Sequence, residues 1–167
     1  MGMTVQFYAA DAQELISLFA AEFTLVHENE DTFDAFLDQL STYPVADFSV
    51  HLFIPEDLDG LCQALRQHNL LVPPTFNDVL VKQLWKDEDQ SLILMAENFV
   101  VAVAGMSNDA IEKAALDWVA TFPYQEPLKQ TPAYQMVLRL REVVQDVIAQ
   151  KKSLIFRLWG EPAFFRW

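Results

Sequence analysis

The sequence predicts an α+β fold, with about six helices packed on a small mixed or antiparallel sheet of about four to five strands. Three observations point to it. Segments with apolar residues at helical spacing outnumber segments that alternate. The strands are not each separated by one helix, as a doubly wound α/β sheet requires. The 167 residues are 52% hydrophobic and 21% charged, enough apolar material for one core and too little charge for disorder. With four glycines, short proline clusters and no repeat, residues 1–167 read as a single domain.

Residues 4–9 alternate, with Val5, Phe7 and Ala9 on one face and Thr4, Gln6 and Tyr8 on the other, a half-buried strand. Asp11 followed by Glu14 is a helix-capping pair, and a helix to about Phe23 follows. A second helix over 31–40 carries Phe33, Phe36, Leu37 and Leu40 as its apolar stripe. Residues 48–54 alternate as a strand. Pro55, Glu56 and Asp57 then open a helix with Leu58, Leu61, Cys62 and Leu65 inward. Pro73 and Pro74 break the chain, and Thr75 with Asp78 predicts a helix to about Trp85. Residues 91–96 read as a buried strand. Residues 99–104 are β-branched and predict a strand, although Asn98 and Gly105 would suit the two caps of a short helix.

Ser107 or Asn108 starts a helix with Ile111, Ala114, Ala115, Trp118 and Phe122 on one face. Thr131-Pro132 starts another, running to about Gln150 and burying Met136, Val137, Leu140, Val143, Val144, Val147 and Ile148. Lys151 and Lys152 sit at its negative end. Residues 153–159 form a last strand, and 161–167 an aromatic tail. Phe164, Phe165 and Trp167 in that tail are candidates for self-association, leaving monomer or homodimer as the two expected states.

Charge is the most uneven property. The net charge is −13, and residues 1–65 hold twelve acids and no Lys or Arg. Residues 129–167 reverse the sign, with seven basic against three acidic side chains. An acidic half repels nucleic-acid phosphates and attracts a basic protein, so the expected partner is basic and direct nucleic-acid binding is not expected. Glu28, Glu30, Asp31, Asp34, Asp38, Glu56, Asp57 and Asp59 are its candidate contacts.

Catalytic signatures are missing from the sequence. It has no glycine-rich phosphate loop and no nucleophile elbow. Ser107 reads as a cap, and Cys62 falls on an apolar stripe, where a thiol is inert. His27, His51 and His68 are too widely spaced for a local metal motif. Asp31, Asp34 and Asp38 share a helix face without the loop geometry of a calcium site. No catalytic, cofactor or metal residue is therefore assigned.

A single cysteine allows no internal disulfide, the opening residues lack the regions of a signal peptide, and residues 92–106 are too short and polar to span a bilayer. A cytoplasmic protein, not held at a membrane, is the expectation. The function expected is a non-catalytic acidic binding domain of the immunity, inhibitor or regulatory type found among small bacterial domains. The alternative is an enzyme or small-molecule binder whose carboxylate and histidine meet only in the fold.

Overall fold

A computed structural model describes residues 4–25, 30–49 and 55–160. Among these residues six helices and an antiparallel five-stranded sheet form one α+β fold. Strand β1 is Thr4–Ala10, followed by helices α1, Ala12–Leu25, and α2, Glu30–Leu40. Strand β2 is Val45–Asp47 and helix α3 is Pro55–His68. A single 3-10 turn, Asn77–Val79, leads into β3, Leu80–Lys86, which pairs with β4, Gln90–Met95. Helices α4, Glu97–Ala104, α5, Asn108–Val119, and α6, Pro132–Gln150, come next, before β5, Ser153–Trp159.

The strand order is β2-β1-β5-β4-β3. The last strand therefore lies at the centre, hydrogen-bonded to the first strand on one side and to β4 on the other. Its position ties both ends of the described chain into one ladder, a long-range closure that slows folding relative to local contacts.

Helices cover both faces of the sheet. Val5, Phe7 and Ala9 of β1 join Leu154, Phe156 and Leu158 of β5 in the larger core, beneath α3, α4, α5 and α6. Tyr8 and Ala10 face the opposite way with Leu92 and Ile155, under Leu15 and Phe19 of α1 and Phe36 and Leu40 of α2. Both faces of β1 are thus buried from Tyr8 onward, so the strand is half-buried only over its first residues.

Local signals placed most elements. Asp11 Oδ1 accepts from the Glu14 N–H at 3.0 Å, the cap expected for α1. Ser107 Oγ accepts from Ala110 N at 3.1 Å and Thr131 Oγ1 from Tyr134 N at 3.3 Å, starting α5 and α6. Lys151, left-handed at φ 54°, ends α6, and the Lys152 N–H reaches back to the Val147 carbonyl at 2.9 Å.

Three expectations are corrected, and a fourth lies largely outside the described residues. The helix expected from Thr75 stops after one turn: Asp78 N donates to Thr75 Oγ1 at 3.3 Å, but residues 80–86 take the hydrogen bonds offered by β4 and form a strand. Residues 99–104 are helical. Phe99, Val100 and Val103 recur at helical spacing against the core while Val101 points out, and this burial outweighs their β propensity. A strand not expected from the sequence forms at Val45–Asp47, where Ala46 opposes Phe7 in the ladder, and of the strand expected over 48–54 only the first two residues are described. Phe48 and Ser49 follow it, and residues 50–54 lie outside the described residues. Ile148 of α6 is exposed, not buried.

Candidate functional site

On α2, Phe36 and Leu40 turn into the sheet and fix the helix's orientation. The other two members of the expected apolar stripe, Phe33 and Leu37, are 48% and 43% exposed. Asp34 and Asp38 each follow one of them, so an exposed acidic row runs beside an exposed apolar row, with Asp31 also exposed. On the flank facing α1, a shallow groove of about 520 Å³ is lined by Gln13, Glu14, Ser17, Leu18, Gln39 and Tyr43, among others. Burial pushes the Tyr43 hydroxyl pKa up, and the nearby Glu14 and Asp11 carboxylates add to the shift. The α1–α2 layer thus carries one carboxylate, Glu14, in its groove and an acidic row on its outer side.

The acids of α3 do not join this surface. Leu58, Leu61 and Leu65 anchor α3 in the larger core and Phe36 anchors α2 in the smaller one, so the sheet lies between the two acidic groups. Glu56 is exposed. Asp57 lends its backbone carbonyl to the Trp118 indole N–H at 2.8 Å. Asp59 accepts from the Phe76 N–H at 2.7 Å, which fastens the proline-broken loop to α3. Glu30 opens α2 but its side chain is not described, and Glu28, His27, His51, Phe164, Phe165 and Trp167 lie outside the described residues.

His68 is the histidine the structure describes. Its Nε2 lies 2.8 Å from Asp117 Oδ2, joining the end of α3 to α5. The pair has acid–base geometry, and it also staples two packed helices. Cys62 is buried, and burial, with Asp59 and Asp78 adding to it, pushes its thiol up to about 12, which makes it a poor nucleophile. Among the described residues no three His, Cys, Asp or Glu side chains converge on a metal position, and no helix is long and apolar enough to cross a membrane.

One cluster was not anticipated. Arg157 of β5 and Gln90 of β4 are each only 7% exposed and meet on the α1 side of the sheet. Gln90 Oε1 accepts from Arg157 Nε at 3.1 Å and from Nη2 at 2.8 Å. Gln6 Oε1 accepts from Arg157 Nη1 at 2.9 Å and from the Tyr8 hydroxyl at 2.8 Å, while its amide donates to Asp47 at 2.8 Å. The result is a polar rung across four strands, Asp47–Gln6–Arg157–Gln90. The guanidinium lies 4.9 Å from the Phe19 ring centre and 5.4 Å from that of Trp159. Burial lowers the Arg157 pKa, opposed by Tyr8 and Asp47. The signal in the sequence was one charged residue on an inward position of an otherwise apolar strand.

Compared with protein-family models, curated proteins and solved structures, the chain matches none.

Proposed function

We propose that the chain is a non-catalytic binding domain that engages a basic protein partner through the outer surface of α2. The observation that carries this reading is the pairing of half-exposed Phe33 and Leu37 with the adjacent Asp34 and Asp38. Phe33 and Leu37 lie one helical turn apart, so they form a contiguous apolar pair left partly in water. Covering them against a partner releases that surface, while the acidic row selects a partner bearing Lys or Arg beside its own apolar anchors. An inhibitor or immunity protein acting on a basic toxin or nuclease would use such a surface, its charge steering the encounter and its apolar pair holding the complex.

The test begins with capture from native lysate at low salt and continues with the purified partner. Asp34→Asn with Asp38→Asn is expected to slow association about tenfold at low ionic strength and to change little at high salt. Phe33→Ala should act mainly on dissociation, because it removes contact area and leaves the field intact. Binding kinetics measured across a salt series read both. Indifference of association to salt and to the double variant would remove α2 as the interface.

A further inference from the structure

We propose that the groove between α1 and α2 receives an arginine side chain of the basic partner, its stem lying on Leu18 and Tyr43 and its guanidinium reaching Glu14. This rests on the partner reading of α2 and names the side chain that the partner sets beside that helix.

The groove is built in two parts. Leu18 and Tyr43 are half-buried against the smaller core, which fixes them as an apolar base. Gln13, Glu14, Ser17 and Gln39 are exposed along its rim. The volume of about 520 Å³ is enough for one long side chain, and the groove is open, so that side chain enters without a movement of either helix. A carbon base under a rim of amides, a hydroxyl and one carboxylate is the complement of an amphipathic cation. The methylene stem of such a cation takes apolar contact while its head stays among polar groups.

The charge about the groove has one sign. Residues 1–65, which include both helices and Tyr43, carry no Lys or Arg, so neither helix supplies a cation of its own to Glu14. Glu14 and Asp11 both act on the Tyr43 hydroxyl, adding to the effect of burial, which puts two negative charges around one phenol ring. Arginine suits this setting better than lysine. Its flat head stacks on the ring while pairing with the carboxylate, and its several donors match the oxygens of Gln13, Ser17 and Gln39. Gln39 directly follows Asp38, so a partner lying along the acidic row of α2 reaches the groove with a single side chain turned over the helix.

The experiment titrates the full-length protein with N-acetylargininamide and, separately, with N-acetylcitrullinamide, its uncharged near-isostere, at neutral pH and constant ionic strength. The Tyr43 ring and the Gln13, Ser17 and Gln39 amides are followed by NMR. The arginine compound is expected to shift these resonances saturably, with a dissociation constant on the order of 1–10 mM, and the citrulline compound to bind about tenfold more weakly. Glu14→Gln, a change at an exposed side chain, should bring the arginine compound down to the citrulline level. Equal responses to the two compounds, a shift that never saturates, saturable shifts confined to Asp34 and Asp38, or undiminished arginine binding by Glu14→Gln would each overturn the proposal. The titration needs no partner, so failure of the groove and failure of the α2 interface in the salt series are separate results.

Discussion

Trp118→Ala is expected to lower the unfolding free energy by about 3–5 kcal/mol, read as a drop in the urea midpoint at unchanged slope. Against a total of about 5–15 kcal/mol for a domain, that is enough to leave a sizeable unfolded population. The indole is fully buried where α3 meets α5. It packs against Phe48 at 6.0 Å and edge-on against Phe122 at 5.2 Å between ring centres, and its N–H donates to the Asp57 carbonyl at 2.8 Å. Truncation opens a cavity between two helices that are already bound to other elements and cannot close on it. Trp118→Phe keeps most of the volume and loses the hydrogen bond, so a smaller cost of about 1–2 kcal/mol is expected. Gly60→Ala supplies the opposite control. A methyl group there would meet Trp118 Cδ1 at 3.6 Å, an ordinary contact, and the change removes chain entropy from an α3 interior position. It should be neutral or stabilising by up to about 1 kcal/mol. A Trp118→Ala protein with an unshifted midpoint would mean that the α3–α5 seam is held elsewhere.

What the sequence revealed and what it concealed divide along a physical line. Helices α1, α5 and α6 were legible because a cap residue and a helical stripe agree on where each begins. Strand β5 was legible because its short run of large apolar residues follows a helix stop. Residues 80–86 were read as a helix because the Thr75–Asp78 cap is real, yet a cap fixes one turn only. The rest was decided by hydrogen bonds from β4, which local spacing does not register. The reverse holds for α4, where β-branched residues became helical because helical spacing buries Phe99, Val100 and Val103.

The site shows the same division. Acidic residues are visible in any sequence, but whether two acidic groups share a surface depends on which side of the sheet their helices pack, and α2 and α3 pack on opposite sides. The Arg157 rung is less legible still. It requires Gln6 opposite Arg157 in the ladder and Gln90 diagonal to it, a register set by the pairing of β5 between β1 and β4. Phe33 and Leu37 share one apolar stripe with Phe36 and Leu40, and helical spacing does not say which part of a stripe is covered. Only the packing of α2 shows that the sheet covers half of it.

Cys62 gives the other large expected effect, and its sign follows from linkage. Its folded thiol is pushed up to about 12 from an ordinary 9.0, first by burial and then by Asp59 and Asp78. The folded state therefore holds a proton that the unfolded chain releases more easily. Stability from this group is fully present below about pH 9 and is lost as the pH rises toward about 12, by as much as about 4 kcal/mol over the whole window. Tyr8, whose hydroxyl is also raised from 10.0 by burial, acts in the same direction. Cys62→Ala should accordingly cost about 1–2 kcal/mol at pH 7 through the space it leaves, and it should flatten the alkaline fall in stability without abolishing it. The same shift predicts slow chemistry. At pH 8 the folded thiolate fraction is about a thousandfold below that of a free thiol, and burial also blocks the reagent's approach. Labelling by a disulfide reagent should then proceed through opening of the core and accelerate with urea in step with unfolding. Labelling as fast as a free thiol at zero urea would mean that α3 lifts from the sheet in the native state. The acids of α3 would then belong to a moving element, and a contact surface that includes Glu56, Asp57 and Asp59 would have to be reconsidered.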